Sequence, residues 1–407
     1  MHSIVADSPK RPEIKGLKYF KQLLPLLEQL RYVGCERDKA GNRSLHFDQY
    51  CLFVLLFLFN PMVRSLRGIQ QASQLKTVQR KLGCSRASLG SLSEAVEIFD
   101  PERLRGIIDS LAVQLKPICD VGAGHLNKTL IAVDGTVVNT LKSIVEASFL
   151  TDKNGVSHSA WRLHTHFDID RHVPIRIDVT PGSNTGKHEE KTQLRGVIKP
   201  DCCYVMDRWY AQYTLWNEIV AAGSSYVCRI RDNSNFDTTI DEKPVSETAA
   251  TAGILRDFTV NLGACCKPSK RPDHTVRVIL IKTTPHKKRG GRKGGTAGAP
   301  SDGVLRIATN MLDVPAEVIA DIFQHRWTIE IFFRLLKHVL GCRHLLSTHQ
   351  KGIEIQSYCA IIACLLISLW TNRKPTLRTF EMIGFYMIGW ASEDELTAHI
   401  QKLPHMN

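Results

Sequence analysis

Thr129-Leu130-Ile131-Ala132-Val133-Asp134 and Cys202-Cys203-Tyr204-Val205-Met206-Asp207 are two short apolar runs, each closed by an aspartate. Runs of this length read as buried strands, because a buried helix would continue for ten residues or more. If the two strands lie parallel in one sheet, their terminal aspartates project at the same edge. Between them, Trp161–Ile169 and Val173–Thr180 read as a pair of strands joined by a turn at Asp170-Arg171-His172. His188–Ile198 and Tyr210–Ala222 read as helices, and Tyr226–Ile230 as a further strand. Strands alternating with helices in this way predict a mixed α/β domain.

Upstream, residues 1–127 read as helical, with amphipathic stretches at Leu17–Leu30, Phe47–Phe59, Leu66–Leu75, Ser85–Phe99 and Pro101–Leu115. Downstream, residues 231–305 are polar and rich in Thr, Asp and Pro, with one clear strand at Val276–Thr283. The basic, glycine-rich tract His286–Gly295 within them reads as a mobile loop, either one that touches phosphate without sequence preference or a disordered tether. Leu305–Thr309 resumes a strand. Pro315 then opens one long helical pattern to about Leu340, stopping at Gly341. Ile355–Trp370 is a further apolar helix, and residues 371–407 read as a short helical tail.

The chain has 407 residues, with 53 Lys and Arg against 40 Asp and Glu, a net charge of +13. That balance favours a polyanionic partner, nucleic acid ahead of a membrane surface. The longest apolar runs, Cys51–Phe59 and Cys359–Trp370, fall short of the about 20 residues that a bilayer requires. The N-terminal residues carry no apolar signal segment, and none of the twelve cysteines forms a C-x-x-C pair. A reducing cytoplasm is the expected compartment.

On the long helical pattern, Arg326 lies one turn before Glu330 and Lys337 two turns after it, with Phe323 extending the same stripe. An aspartate at a strand end is ordinarily a turn or cap residue, and Arg326–Glu330 alone reads as an ordinary i,i+4 pair. Their combination is more specific. Ile131–Thr136, Tyr204–Tyr210 and Phe323–Glu330 through Lys337 together resemble a DDE transposase of the bacterial insertion sequence 4 family. Arg326, Glu330 and Lys337 fall at the last three positions of that family's Y-(2)-R-(3)-E-(6)-K signature, and Phe323 stands at the Tyr position without its hydroxyl.

The resemblance implies an α/β RNase H-like catalytic core with a β-rich insertion, flanked by an all-α N-terminal domain and a helical C-terminal region. The corresponding segments are 1–127, 128–230, 231–305, 306–345 and 346–407. It further implies Asp134, Asp207 and Glu330 as ligands of two Mg2+ or Mn2+ ions, with Arg326, Lys337 and Phe323 at the DNA. Enzymes of this kind cut the ends of a mobile element and join the freed 3′ hydroxyl to target DNA, usually as dimers. Double-stranded DNA and a second copy of the chain are therefore the expected partners.

Two further patterns bear on function. Between Gln49 and Ser93 there is no acid, while Arg64, Arg67, Lys76, Arg80, Lys81 and Arg86 accumulate. A helix ending near Gly83, followed by one capped by Ser85, reads as a helix-turn-helix-like DNA-binding unit. His164 and His166, two apart on one strand, are the alternative metal pair, for zinc, but no third ligand follows at a recognisable spacing. A decayed transposase acting only as a DNA-binding protein is the other alternative; all three carboxylates are present.

Overall fold

The computed structural model describes residues 20–403, apart from 34–41, 61, 123, 141–147, 152–156, 184, 233, 235–237, 265, 285–301, 340–344, 372 and 374. The expected basic loop at His286–Gly295 lies outside the described residues.

Among the described residues, six helices come first: α1 (Phe20–Glu28), α2 (Phe47–Phe59), α3 (Leu66–Ser73), α4 (Lys76–Leu82), α5 (Leu89–Ile98) and α6 (Arg103–Ala112). The sheet then begins with β1 (Thr129–Thr140), β2 (Ser148–Thr151), β3 (Ser157–Asp168) and β4 (Val173–Pro181). The turn between β3 and β4 places His172 at a φ of 58°, so the expected hairpin forms around a left-handed residue. After α7 (Glu190–Arg195) come β5 (Cys202–Met206), α8 (Tyr213–Ala221) and β6 (Ser225–Arg229).

β1 pairs parallel with β5, and β5 parallel with β6, while β3 pairs antiparallel with β1. Successive residues of the central strands face opposite sides. Leu130 and Ala132 join the core that faces the helical region, whereas Ile131 and Val133 join the core beneath Leu215, Trp216 and Ile219 of α8. A strand buried on both faces has to be apolar at every position, and this explains the unbroken runs in the sequence.

The region 231–305 holds more strand than its composition suggests. β7 (Thr238–Lys243), α9 (Glu247–Thr251), β8 (Ile254–Asn261) and β9 (Val276–Lys282) precede β10 (Val304–Thr309). These strands extend the same sheet, giving the order β2-β3-β1-β5-β6-β10-β9-β8-β7, with β4 also on β3. The sequence reading missed β7, the strand at the sheet's edge, and β8, which lies between β7 and β9. Their charged and exposed residues, such as Asp241, Glu242, Leu255 and Arg256, blur the alternation.

The expected single helix from Pro315 to Leu340 is interrupted. α10 (Ala316–His325) and α11 (Thr328–Arg334) are separated at Arg326–Trp327, where the hydrogen bonds tighten to the i−3 pattern, and a π turn (Leu335–Val339) follows. α12 (Gln350–Thr371), α13 (Leu377–Met387) and α14 (Glu393–Gln401) complete the chain. α12 is long and apolar enough to cross a bilayer, yet 89% of its apolar window is buried inside the fold. It packs against β4 on one side and against α2, α5 and α6 on others. One apolar core thus runs from the N-terminal helices into the sheet.

A buried ion pair fixes the path from β10 into α10. Arg277 on β9 donates to both carboxylate oxygens of Asp257 on β8, at 2.7 and 2.6 Å, and to the carbonyls of Met311, Leu312 and Val314. Removing one member of such a pair strands the other in a low dielectric. Arg277→Met should therefore cost about 3–5 kcal/mol in urea unfolding. Adding Asp257→Leu should recover part of that loss, and an unchanged unfolding midpoint in the single variant would refute the assignment.

Candidate active site

Register places the two aspartates together, but only Asp207 follows a strand end: β1 continues past Asp134 to Thr140, held by its antiparallel pairing with β3. Val133 of β1 lies opposite Met206 of β5, so Asp134 and Asp207 are the next residues on neighbouring parallel strands. Asp207 also caps the turn that follows its strand, whereas Asp134 bonds its own neighbour within β1. Asp134 Oδ1 accepts from the amide of Gly135 at 2.8 Å, and Asp207 Oδ1 accepts from the amide of Trp209 at 2.8 Å.

Glu330 arrives from α11. Arg326 Nη2 donates to Glu330 Oε1 at 2.9 Å, and Arg326 Nη1 lies 3.7 Å from Asp134 Oδ2. The guanidinium therefore stands between the first and third carboxylates. The Phe323 ring carries the Arg326 guanidinium at 5.8 Å from its centroid, a cation–π seat that needs no phenol hydroxyl. Lys337, on the π turn, donates to Thr136 Oγ1 at 2.6 Å, tying the helical arm to β1 two residues beyond Asp134. In this state both basic residues bond protein groups. Two indoles stand exposed nearby: Trp209 follows Asp207 by two residues, with Lys191 Nζ 4.8 Å from its ring, and Trp327 follows Arg326.

A fourth carboxylate, absent from the sequence reading, packs into the same place. Glu190, at the start of α7, is 7% exposed and accepts from Arg162 Nη1 of β3 at 2.5 Å. The hydroxyl of the buried Tyr210 also bonds it. Nothing in the polar string His188-Glu189-Glu190-Lys191 marks one glutamate as buried; the glycine directly after Asp134 is the only hint.

Burial pushes the Asp134 carboxyl up to about 7, opposed by the Gly135 amide and Arg326 and reinforced by the nearby Asp207 and Glu190 carboxylates. The donors are all carboxylate oxygens, the chemistry that Mg2+ and Mn2+ take. Crowded, partly buried acids are also the environment that a cation relieves. Among the described residues no three His, Cys, Asp or Glu side chains yet converge as a metal cage, and Glu330 is turned to Arg326. In donor chemistry the residues fit a divalent ion.

The alternative histidine pair is occupied otherwise. His164 Nε2 hydrogen-bonds Thr180 Oγ1 at 2.8 Å, and His166 meets the Tyr204 ring edge-on at 6.3 Å. Burial lowers both imidazoles to about 4. In the N-terminal region, Arg64, Arg67, Lys76, Arg80 and Arg86 are exposed, and Lys81 also lies on α4. The expected capping is corrected: Ser88, not Ser85, accepts from the amide of Ser91 and starts α5, while Ser85 Oγ donates to the Ser44 carbonyl. Arg86 consequently sits in the connecting loop. Gly83 ends α4 at a φ of 64°, the left-handed conformation expected of a C-terminal glycine cap.

Residues 125–366 match the family model described as "Transposase DDE domain". The chain belongs to the DDE transposase family. It is 27% identical over 269 residues to the "Probable transposase for insertion sequence element IS5377" of Geobacillus stearothermophilus, covering 63% of this chain and 61% of that protein. It is 24% identical over 226 residues to the "Putative transposase y4zB" of Sinorhizobium fredii (strain NBRC 101917 / NGR234), covering 54% and 58%. The chain thus spans about six-tenths of the length of these curated relatives. Among solved structures, a piggyBac transposase synaptic complex with hairpin DNA superposes at a TM-score of 0.40 and 11% identity, over 97% of this chain and 86% of that one. At that distance the superposition carries no argument about this transposase.

The raised Asp134 carboxyl has a consequence for stability. The folded chain holds that proton more tightly than the unfolded chain, so ionising Asp134 costs stability as pH rises from about 4 to 7, and the cost is complete above about 7. Asp134→Asn removes the cost and should stabilise the metal-free protein by a few kcal/mol at about pH 8, with the gain shrinking at about pH 5.5. Thermal melting at the two pH values measures this; a destabilised variant at pH 8 would contradict it.

Proposed function

We propose that this DDE transposase binds the ends of an insertion element of the insertion sequence 4 type and catalyses divalent-metal-dependent strand cleavage and strand transfer. The observation that carries the reading is the adjacency of Asp134 and Asp207 on parallel strands with the Arg326–Glu330 pair within 3.7 Å of the first. Asp134, Asp207 and Glu330 act as the catalytic carboxylates and hold two Mg2+ or Mn2+ ions. Such a pair supplies activation of the attacking oxygen and neutralisation of the leaving one.

The chain's own groups do the rest. Arg326 offers a planar fork to phosphate oxygens, and Lys337 a point charge one arm away. Phe323 holds the fork from beneath. Cleavage by water leaves a 3′ hydroxyl, and that hydroxyl then attacks a target phosphodiester, releasing a target 3′ hydroxyl in exchange. No protein side chain forms a bond to DNA.

The sheet from β1 to β6 with α8, α10 and α11 serves as the RNase H-like core, residues 231–305 as its β-rich insertion, and residues 346–407 as the helical C-terminal region. The helices within 1–127 serve as the DNA-binding domain, through Arg64, Arg67, Lys76, Arg80, Lys81 and Arg86. The absence of any acid from Gln49 to Ser93 and the net charge of +13 support this assignment. The working form is a homodimer on paired ends in the bacterial cytoplasm.

Nicking of DNA carrying the element's own ends tests the reading. Asp207→Ala and Glu330→Gln should abolish Mg2+- or Mn2+-dependent nicking while end binding stays within about twofold. Loss of binding and cleavage together would make these residues structural, and tight binding without cleavage by the wild type would mean a non-catalytic DNA-binding protein. Arg80→Glu combined with Lys81→Glu should weaken end binding at least about tenfold and flatten its salt dependence by about two. Unchanged binding would remove α4 from the DNA interface.

A further inference from the structure

Glu190 needs an explanation that the carboxylates of Asp134, Asp207 and Glu330 do not give. A glutamate that is 7% exposed beside two other acids is costly, and an apolar residue would pack there without penalty. The surroundings are built around it. Arg162 reaches across from β3 to bond its carboxylate at 2.5 Å, and Tyr210, buried behind Asp207, adds a hydroxyl. Its contact with β1 is closer still. A Cβ placed on Gly135 would lie 2.4 Å from Glu190 Oε1, 2.7 Å from Cδ and 3.2 Å from Cγ. Because Arg162 and Tyr210 hold the carboxylate, it cannot swing aside to admit a side chain. The residue after Asp134 is bare so that Glu190 can lie against the backbone there.

We propose that Glu190, clamped by Arg162 and Tyr210, is a positioning residue of the catalytic carboxylates: it fills the space over Gly135, fixes the segment of β1 that carries Asp134, and adds a carboxylate beside the divalent-metal site. Arg162 places a guanidinium against the Glu190 carboxylate, opposing part of the burial that raises it. The proposal rests on the reading of Asp134 and Asp207 as the catalytic pair.

The shape of the contact suggests its own test. Glu190→Asp keeps the charge but is one methylene shorter, so it withdraws from Gly135. Gly135→Ala adds the methyl that the wild-type glutamate excludes. The two changes should compensate: each single variant impairs the site, and the double variant recovers much of the loss. Four readouts are taken on the full chain: thermal melting, end binding without metal, Mn2+ affinity of the DNA-free protein by calorimetry, and the nicking rate. Glu190→Asp and Glu190→Gln are expected to melt as cooperatively as wild type and to bind ends normally. Mn2+ affinity and nicking rate should each fall about 10–100-fold, the range for groups that orient metal ligands.

Unchanged Mn2+ affinity and nicking in both Glu190 variants would overturn the proposal, even with a lowered melting temperature, because a merely structural glutamate predicts that pattern. If both variants fail to fold, Gly135→Ala alone decides: normal metal affinity and nicking there overturns it, and a 10–100-fold loss with normal end binding supports it. Asp207→Ala, run in parallel, separates the two levels. Loss of nicking in Asp207→Ala with wild-type behaviour in the Glu190 and Gly135 variants refutes only the positioning role. Nicking that survives Asp207→Ala refutes the catalytic pair, and the positioning role with it.

Discussion

Parallel pairing of β1 with β5 sets Asp134 and Asp207 on adjacent strands at the same level, and this proximity of like charges constrains what surrounds it. Two carboxylates that sit half out of water repel each other, so the rest of the site has to supply cations or protons. The protein uses both. Arg326 reaches in from the helical arm to lie 3.7 Å from Asp134, and burial lifts the Asp134 carboxyl to about 7. The Arg162–Glu190 pair brings a matched charge and not a surplus one. The carboxylates of Asp134, Asp207, Glu190 and Glu330 outnumber the guanidiniums of Arg326 and Arg162, an acid excess in which one positive partner can be exchanged for another.

Arg326 illustrates the exchange. Its guanidinium bonds Glu330 at 2.9 Å while resting on the Phe323 ring. The same fork cannot bind Glu330 fully and clamp a phosphate at once, so the phosphate binding proposed for Arg326 would compete with this ion pair. The interruption of the helix at Arg326–Trp327 matters for the same reason. A regular helix would hold Arg326 and Glu330 rigidly one turn apart. The i−3 bonds at the break, followed by the π turn that carries Lys337, leave this arm with less regular backbone than either flanking helix. The phenylalanine at the signature's tyrosine position retains the aromatic face that seats the arginine.

Much of this was legible in the sequence, because burial on both faces of a strand demands an unbroken apolar run. Val133 and Met206, each followed by an aspartate, were enough to expect the carboxylates side by side, and the spacing of Arg326, Glu330 and Lys337 marked the arm. Other features left no such trace. Glu190 sits in a polar string typical of an exposed helix start, and its burial depends on Arg162 and Gly135, which are distant in sequence. β7 lies at the edge of the sheet with β8 beside it, and charged residues on both interrupt the alternation. The cap of α5 could have been any of several serines; the bond from Ser85 to the Ser44 carbonyl, 41 residues away, decided in favour of Ser88.

The core shows how the helical region and the site are held in one frame. α12 is buried between β4 and the helices α2, α5 and α6, and polar groups set its register where apolar contact alone would let it slide. Asp178 on β4 accepts from Arg105 of α6 at 3.0 Å and from Arg176 at 2.6 and 2.8 Å, and Arg105 donates on to the Tyr358 hydroxyl of α12. The two guanidiniums hold the Asp178 carboxyl below its ordinary range despite its burial. β4 in turn pairs with β3, the strand that carries Arg162. The α6–β4–α12 network therefore fixes the outer edge of the same three-strand unit whose inner edge carries Asp134. A displacement of α6 relative to β4 or α12 would break the Arg105 bonds to Asp178 and Tyr358, while Arg176 stays paired with Asp178 within β4. Those bonds, added to the shared apolar core, tie the helical region to the strands beside β1.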